Sequence, residues 1–296
     1  APAAGNGAHG PDVAMIPSIA FKRVEVLRDG AASQYGSDAI AGVINFELRD
    51  APEGGEVIVN YGQHYEGEQN YKVAANVGLP LGPEGFANLS MEYSDNEALS
   101  RGVQRPDAQA LIDDGVQGVG ADSPFDDAPF AQTWGRPETE ALRLFYNAGI
   151  SLGDTVELYS HGNYAETEGI YRFFYRRGQT ENTTAGLHST LATLRDEFGY
   201  SGSLLQTGYT PFLTGDQTDA SFVLGLKGVL ASELSYDFSV GYGANELEYF
   251  LENTTNPALG LNAAGDPLQR DFDVGGFEQE ELNINADFAL PITDNV

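Results

Sequence analysis

An all-β fold, specifically an antiparallel transmembrane β-barrel present in part, is what the sequence predicts over most of its length, on three observations. Eight stretches between residues 55 and 290 alternate apolar and polar side chains with a period of two, as strands with two unlike faces do. Several run about 9–11 residues, the length a tilted strand needs to cross a bilayer and longer than the ~5–6 usual in soluble sandwiches. The connections alternate between tight turns and long loops, which in a barrel puts all the long loops on one rim.

Residues 1 to 12 are small and Gly-rich and are expected to be extended. Arg23–Leu27 then alternates, with Val24 and Val26 on one side and Arg23 and Glu25 on the other, so a short strand is expected. Asp29-Gly30 reads as a turn, Ala31–Tyr35 as a helical turn closed at Gly36, and Ala39–Phe46 as a buried strand in which Gly42 allows close packing.

The eight barrel strands follow. The first carries Val57, Val59 and Tyr61 on its apolar face; the second Tyr71, Val73, Ala75, Val77 and Leu79; the third Ala87, Leu89, Met91 and Tyr93. The fourth alternates most clearly, Leu142, Leu144, Tyr146, Ala148, Ile150 and Leu152 against Arg143, Asn147 and Ser151. Val156, Leu158 and Tyr164 mark a weaker fifth strand, and Phe222, Leu224, Leu226 and Leu230 the sixth. The seventh has Leu234, Tyr236, Phe238, Val240 and Tyr242, and the eighth Leu282, Ile284, Ala286, Phe288 and Leu290. Tyr and Phe recur at the strand ends, where an interfacial aromatic girdle belongs. Tight turns are expected at 80–85, 153–154 and 231–232, and long loops over 98–137, 167–217 and 248–277. Inside these loops Pro106 precedes DAQALIDD at a helix start. Leu187, Leu191, Leu194 and Phe198 recur at helical spacing before Gly199.

Composition removes several function classes. With 44 acidic against 15 basic residues the formal charge is −29, so nucleic acid is not an expected partner. The chain has no Cys, which excludes disulfides and thiolate metal sites. His9, His64, His161 and His188 show no metal-ligand spacing, and no GxSxG elbow, P-loop or dinucleotide fingerprint occurs. No enzyme activity, cofactor or metal is therefore expected. Acidic pairs such as Asp113-Asp114, Asp126-Asp127 and Glu280-Glu281 read mainly as solvated loop charge.

The stretch RVEVLRDGAASQYGSDAIAGVINFELR, Arg23 to Arg49, resembles the C-terminal half of the plug domain of TonB-dependent outer-membrane receptors. The resemblance implies part of an α+β plug over residues 1–54. It also implies the N-terminal part of a barrel of about 22 strands over residues 55–296, in the outer membrane of a Gram-negative bacterium. An eight-stranded barrel is filled by its own side chains, and an open sheet in lipid leaves both edges unpaired. The chain is therefore expected to be a segment whose strands pair with the remainder of the same barrel.

By the same resemblance the function is energy-coupled uptake of a scarce ligand such as a ferric siderophore. The expected partners are outer-membrane lipid, lipopolysaccharide and a TonB-type energy-transducing complex acting through plug sequence ahead of this segment. The alternative is a barrel that senses or attaches to a surface partner without importing. Two residue sets carry the expectation. In YRFFYRR, Arg172, Phe174, Tyr175 and Arg176 combine cations with aromatics in an acidic chain, which suits an anionic, ring-bearing ligand; the competing reading packs these aromatics on neighbouring loops. In the plug, Arg23, Glu25, Arg28 and Glu47 would face a polar lumen and pair with charges on the barrel wall.

Overall fold

The computed structural model describes residues 13–28, 42–119, 135–183 and 185–291. Two short 3₁₀ turns, Val13–Met15 and Ser18–Ala20, lead into a hairpin of β1 (Phe21–Arg28) and β2 (Gly42–Leu48). The Asp29-Gly30 turn, the Ala31–Gly36 helical turn and Ala39–Ala41 lie outside the described residues. β2 is less enclosed than its apolar text suggests, with Ile44 59% exposed. It pairs on one edge with β1, which is itself mostly exposed, and no described element covers its outer face.

The eight expected strands are all present and form one antiparallel sheet. In chain order they are β3 (Gly55–Gln63), β4 (Gln69–Pro80), β5 (Gly85–Asn96), β8 (Glu138–Ser151), β9 (Val156–Arg172), β10 (Phe212–Val229), β11 (Ser235–Glu252) and β12 (Phe272–Ala289). Each pairs with its predecessor, and β3 and β12 are the two edges, unpaired with one another. The first long loop holds a small ribbon of β6 (Leu99–Ser100) and β7 (Gly135–Arg136) and the helix α1 (Pro106–Asp113). The second holds α2 (Ser189–Phe198) and α3 (Leu204–Thr207). Pro106 does open α1, and α2 stops where Gly199 adopts φ 72°, a left-handed cap that side chains with a Cβ resist.

Register sorts the side chains into two faces. On the outward face Val57, Ala75, Met91, Leu144, Tyr164 and Ala220 stand opposite one another across six strands. On strands flanked on both sides, Val77, Leu89, Phe222, Leu224 and Phe238 of this face are still 41–46% exposed, an arrangement that a hydrocarbon solvent makes favourable. Toward the long loops this band ends abruptly. Asp95, Glu140, Glu168, Asp216 and Glu248 stand directly opposite one another on five consecutive strands. Ionised carboxylates are costly in hydrocarbon, and Glu166 and Glu246 share this face one pair nearer the short turns, so the outer interface lies just below this row. Tyr93 donates to Glu140 at 2.8 Å from just below it, as a girdle tyrosine does.

β9 to β12 continue well past that row, each 17 or 18 residues long. The loops expected at 167–217 and 248–277 are consequently shorter, 173–211 and 253–271. Above the bilayer both faces meet water, so Thr167-Glu168-Gly169 and Gly215-Asp216-Gln217 lose the apolar alternation while the backbone ladder persists.

Candidate functional site

The plug segment sits on the inward face of the sheet, and polar contacts hold it there. Glu92 of β5, its side chain 9% exposed, takes Lys72 Nζ of β4 at 2.6 Å on one oxygen and Arg143 Nη1 of β8 at 3.4 Å on the other. Register places Glu92 opposite Ala74 and Arg143, so three adjacent strands supply one ionic row. The plug closes on it. Ser18 Oγ donates to Glu92 at 3.2 Å, Lys72 donates to Ser18 Oγ at 3.2 Å, and Arg143 Nε donates to the Ala14 carbonyl at 2.6 Å. Met15, Ile19 and Ala20 are buried beside these contacts.

The linker from plug to wall is fixed in the same manner. Asn147 Nδ2 donates to the Arg49 carbonyl at 2.9 Å, Asn88 Nδ2 to the Ala51 carbonyl at 2.6 Å, and Arg49 pairs with Glu56 at 2.6 Å. Residue 78 must be Gly for the linker to lie this close: a Cβ there would stand 2.3 Å from the Ala51 carbonyl oxygen.

Above the plug the inward face borders an open cavity of about 410 Å³ that Met15 also lines. Its lining combines Thr139, Thr167 and Gln217 with the rings of Tyr171 and Tyr249, and includes the apolar Leu213 and Leu247 and the acidic Glu140 and Glu168. Arg143 is the one cation among its described lining residues, and it is already bound to Ala14, Ser94 and Glu92.

The long loops pack into a cap with its own apolar cores. Ala108, Leu111 and Val119 of the first loop bury against Tyr175 of the second. Leu191, Leu194, Tyr200, Leu204 and Tyr209 of the second form another cluster, against which Leu261 of the third packs. Polar contacts cross the same seams: Asn182 Nδ2 donates to Asp114 at 3.0 Å and Asn253 Nδ2 to the Thr210 carbonyl at 2.9 Å. Arg270 lies 4.9 Å over the Tyr209 ring.

The cap contains one pH-sensitive joint. His188 Nδ1 accepts from the Thr190 N–H at 3.3 Å, closing the start of α2. Burial, then the charges of Arg176 and Arg177, hold this imidazole below its ordinary value. The unfolded loop therefore binds a proton first as pH falls. Stability from this joint is complete above the ordinary pKa of ~6.5 and is lost as pH drops from there through the lowered folded value. Exchange protection of the α2 amides is expected to fall in that window. His188→Asn, which caps a helix at any pH, is expected to flatten the response; an unchanged profile in that variant would refute the assignment.

The residues singled out from sequence fall as follows. Tyr175 is 3% exposed, and its hydroxyl donates to the Thr207 carbonyl at 2.6 Å. Arg172 stacks 5.7 Å over Phe212, Arg176 bridges its backbone to Tyr209, and Phe174 stays 49% exposed. The stretch is thus the spine of the second loop, with Phe174 outermost. Within the plug, Arg23 pairs with Glu25 at 2.8 Å and Glu47 at 2.6 Å, Glu47 also takes Lys22 at 3.2 Å, and Asn45 donates to Glu25. Arg28 ends β1. Among the described residues, then, Arg23, Glu25 and Glu47 bind within the hairpin, and the wall is engaged by Ser18, Arg49 and the carbonyls of Ala14 and Ala51. Lys72, Glu92 and Arg143 carried a sequence signal, charges on the polar face of strands otherwise lined by Asn and Ser.

Residues 1–43 match the family model described as the TonB-dependent Receptor Plug Domain. The vitamin B12 transporter BtuB of Photobacterium profundum is 25% identical over 199 residues, 67% of this chain and 27% of its own length. The chain therefore spans about a quarter of that curated relative. Among solved structures, a mutant ferric enterobactin receptor PfeA from Pseudomonas aeruginosa is similar at TM-score 0.39 and 14% identity, over 97% of this chain and 45% of its own. The siderophore receptor PirA from Acinetobacter baumannii is similar at TM-score 0.39 and 15% identity, over 95% and 42%. The plug match over residues 1–43, with a plug end seated on the inward face of an antiparallel sheet, makes the chain similar to the plug-to-barrel junction of TonB-dependent receptors.

Proposed function

We propose that this segment forms the plug seat and part of the wall of a receptor that binds a scarce ligand at its outer face. Energy-coupled displacement of the plug then admits the ligand. The observation that carries this reading is the chemistry of the seat. Hydrogen bonds and one ionic row hold the plug to the wall, through Ser18, Ala14, Arg49 and Ala51. Water can replace such bonds one for one, so the plug can slide or tilt without exposing a large apolar core. The pull is assigned to a TonB-type energy-transducing complex acting on plug sequence ahead of Val13. A ferric siderophore bound at the rim by Arg172, Arg176 and Phe174 is the finer form of this reading, with Tyr175 shaping the loop beneath them.

The test is accumulation of labelled solutes by cells carrying the full receptor, with and without the energy-transducing complex. The probes are ferric siderophores, cobalamin and neutral oligosaccharides. Accumulation of one probe that disappears without the complex is expected. Binding without accumulation in energised cells would replace import by the sensing or attachment role.

A further inference from the structure

We propose that the outward face of the sheet carries a lipid site: a groove for a hydrocarbon chain and, above it, a pocket for a primary ammonium headgroup. The site rests on the lipid-facing reading of that face and goes beyond import, so its failure would leave the uptake reading standing. The groove has a volume of about 730 Å³ and is bordered by Val57, Leu89, Met91, Leu144 and Tyr164. Ala75 is its low point, a single methyl between Val57 and Met91 in one register row. In the next row toward the short turns the Tyr146 ring lies across Gly162, where a Cβ would come within 2.8 Å of it. Its hydroxyl is bound to Ser160 at 2.9 Å, so the ring adds apolar floor with its polar tip satisfied. The groove is open to the side, as a slot filled by a lipid chain must be.

Directly above, toward the long loops, the same face holds a second depression of about 310 Å³. It is lined by Tyr93, Leu142 and Thr218 and by the carboxylates of Glu140, Glu166, Glu168 and Asp216. Leu142 stands one outward step from Leu144 on β8, so the two spaces join. No Lys or Arg is among the described lining residues, and none of these carboxylates enters an ion pair among the described residues. Glu140 accepts from Tyr93 at 2.8 Å and Glu166 from Tyr164, which leaves lone pairs to spare on each. Register sets Glu140, Glu168 and Asp216 directly opposite one another on adjacent strands, where like charges repel. A cation among them turns that repulsion into attraction. A primary ammonium brings three N–H donors to the carboxylates, whereas a quaternary one brings charge alone and an anionic headgroup is repelled. The apolar groove beneath decides how the cation arrives: a chain lying along Met91 and Leu144 puts its own headgroup at the carboxylates.

The experiment incubates purified full receptor with equimolar phosphatidylethanolamine, phosphatidylcholine and phosphatidylglycerol of matched chains, with and without a magnesium chelator. Retained lipids are counted by native mass spectrometry. Wild type is expected to retain the ethanolamine lipid about fivefold over the glycerol lipid, the scale of one exposed charge pair, with the choline lipid between them and the chelator without effect. Glu168→Gln combined with Asp216→Asn keeps the shape and removes two charges, and is expected to level the headgroup preference while lipid is still retained. Ala75→Phe fills the groove from the outward face and is expected to lower retention of all three lipids. Protease protection of the plug segment equal to wild type checks the fold of both variants. Equal retention of the ethanolamine and glycerol lipids by wild type overturns the proposal, as does a preference that survives the charge removal or retention that survives Ala75→Phe. Preferred retention of the glycerol lipid that the chelator abolishes overturns it too, since the carboxylates would then hold a divalent ion bridging to phosphate.

Discussion

Replacing Glu92 with Ala is expected to unseat the plug, at a cost of about 3 kcal/mol to its docking. Glu92 is nearly buried, and it stands between Lys72 and Arg143 while accepting from Ser18. Its removal leaves two cations facing one another across β5 with no counter-charge, which is worse than losing two contacts. Lys72 is a third exposed and can turn toward water, which holds the figure to the lower end of the usual range. Arg143 is 16% exposed and tied to Ala14, so it cannot follow. Glu92→Gln keeps the shape and one acceptor oxygen and is expected to cost less. The measurement is protease cleavage of the plug segment in the full receptor, together with conductance across a planar bilayer. Faster cleavage and a raised leak in Glu92→Ala, with Glu92→Gln between it and wild type, are expected; protection equal to wild type in Glu92→Ala would refute the latch.

How far this seat was readable beforehand depends on the kind of residue. The strands were legible because Leu142, Leu144 and Tyr146 repeat at a period that hydrocarbon on one side enforces. The ends of β9 and β10 were not, because Thr167 to Tyr171 and Phe212 to Gln217 stand above the bilayer, where no solvent asymmetry imprints a pattern. Both loop helices were legible from Pro106, Gly199 and the leucine spacing.

The latch was partly visible. Arg143 and Lys72 show as charges on polar faces, but their convergence on Glu92 depends on register across three strands, and register is set by long-range pairing. The hairpin charges Arg23, Glu25 and Glu47 were conspicuous because they are close in sequence, and for that reason they satisfy each other. Conspicuous local charge thus marked an internally neutralised ribbon, while the groups that grip the wall are a serine hydroxyl and backbone carbonyls that no composition signal distinguishes.

Tyr209→Ala is expected to cost the cap about 3–5 kcal/mol, the range for deleting a buried aromatic. The ring is 2% exposed and packs with Leu191, Leu194, Tyr200 and Leu204, so truncation opens a cavity in the largest apolar cluster of the loops. It also removes the surface on which Arg270 rests at 4.9 Å, and Arg270 ties the third loop together through the Thr254 carbonyl at 2.6 Å and Asn253. The effect should therefore cross from one loop to another. Hydrogen exchange on the full receptor is expected to show lost protection in α2 and, to a similar degree, in residues 253–271, with β9 to β11 below the carboxylate row unchanged. Tyr209→Phe keeps the ring and the stacking, and is expected to retain most of the protection. If Tyr209→Ala loosened α2 alone, the second and third loops would be separate bodies, and their shared core could not transmit a ligand's arrival at one of them to the other.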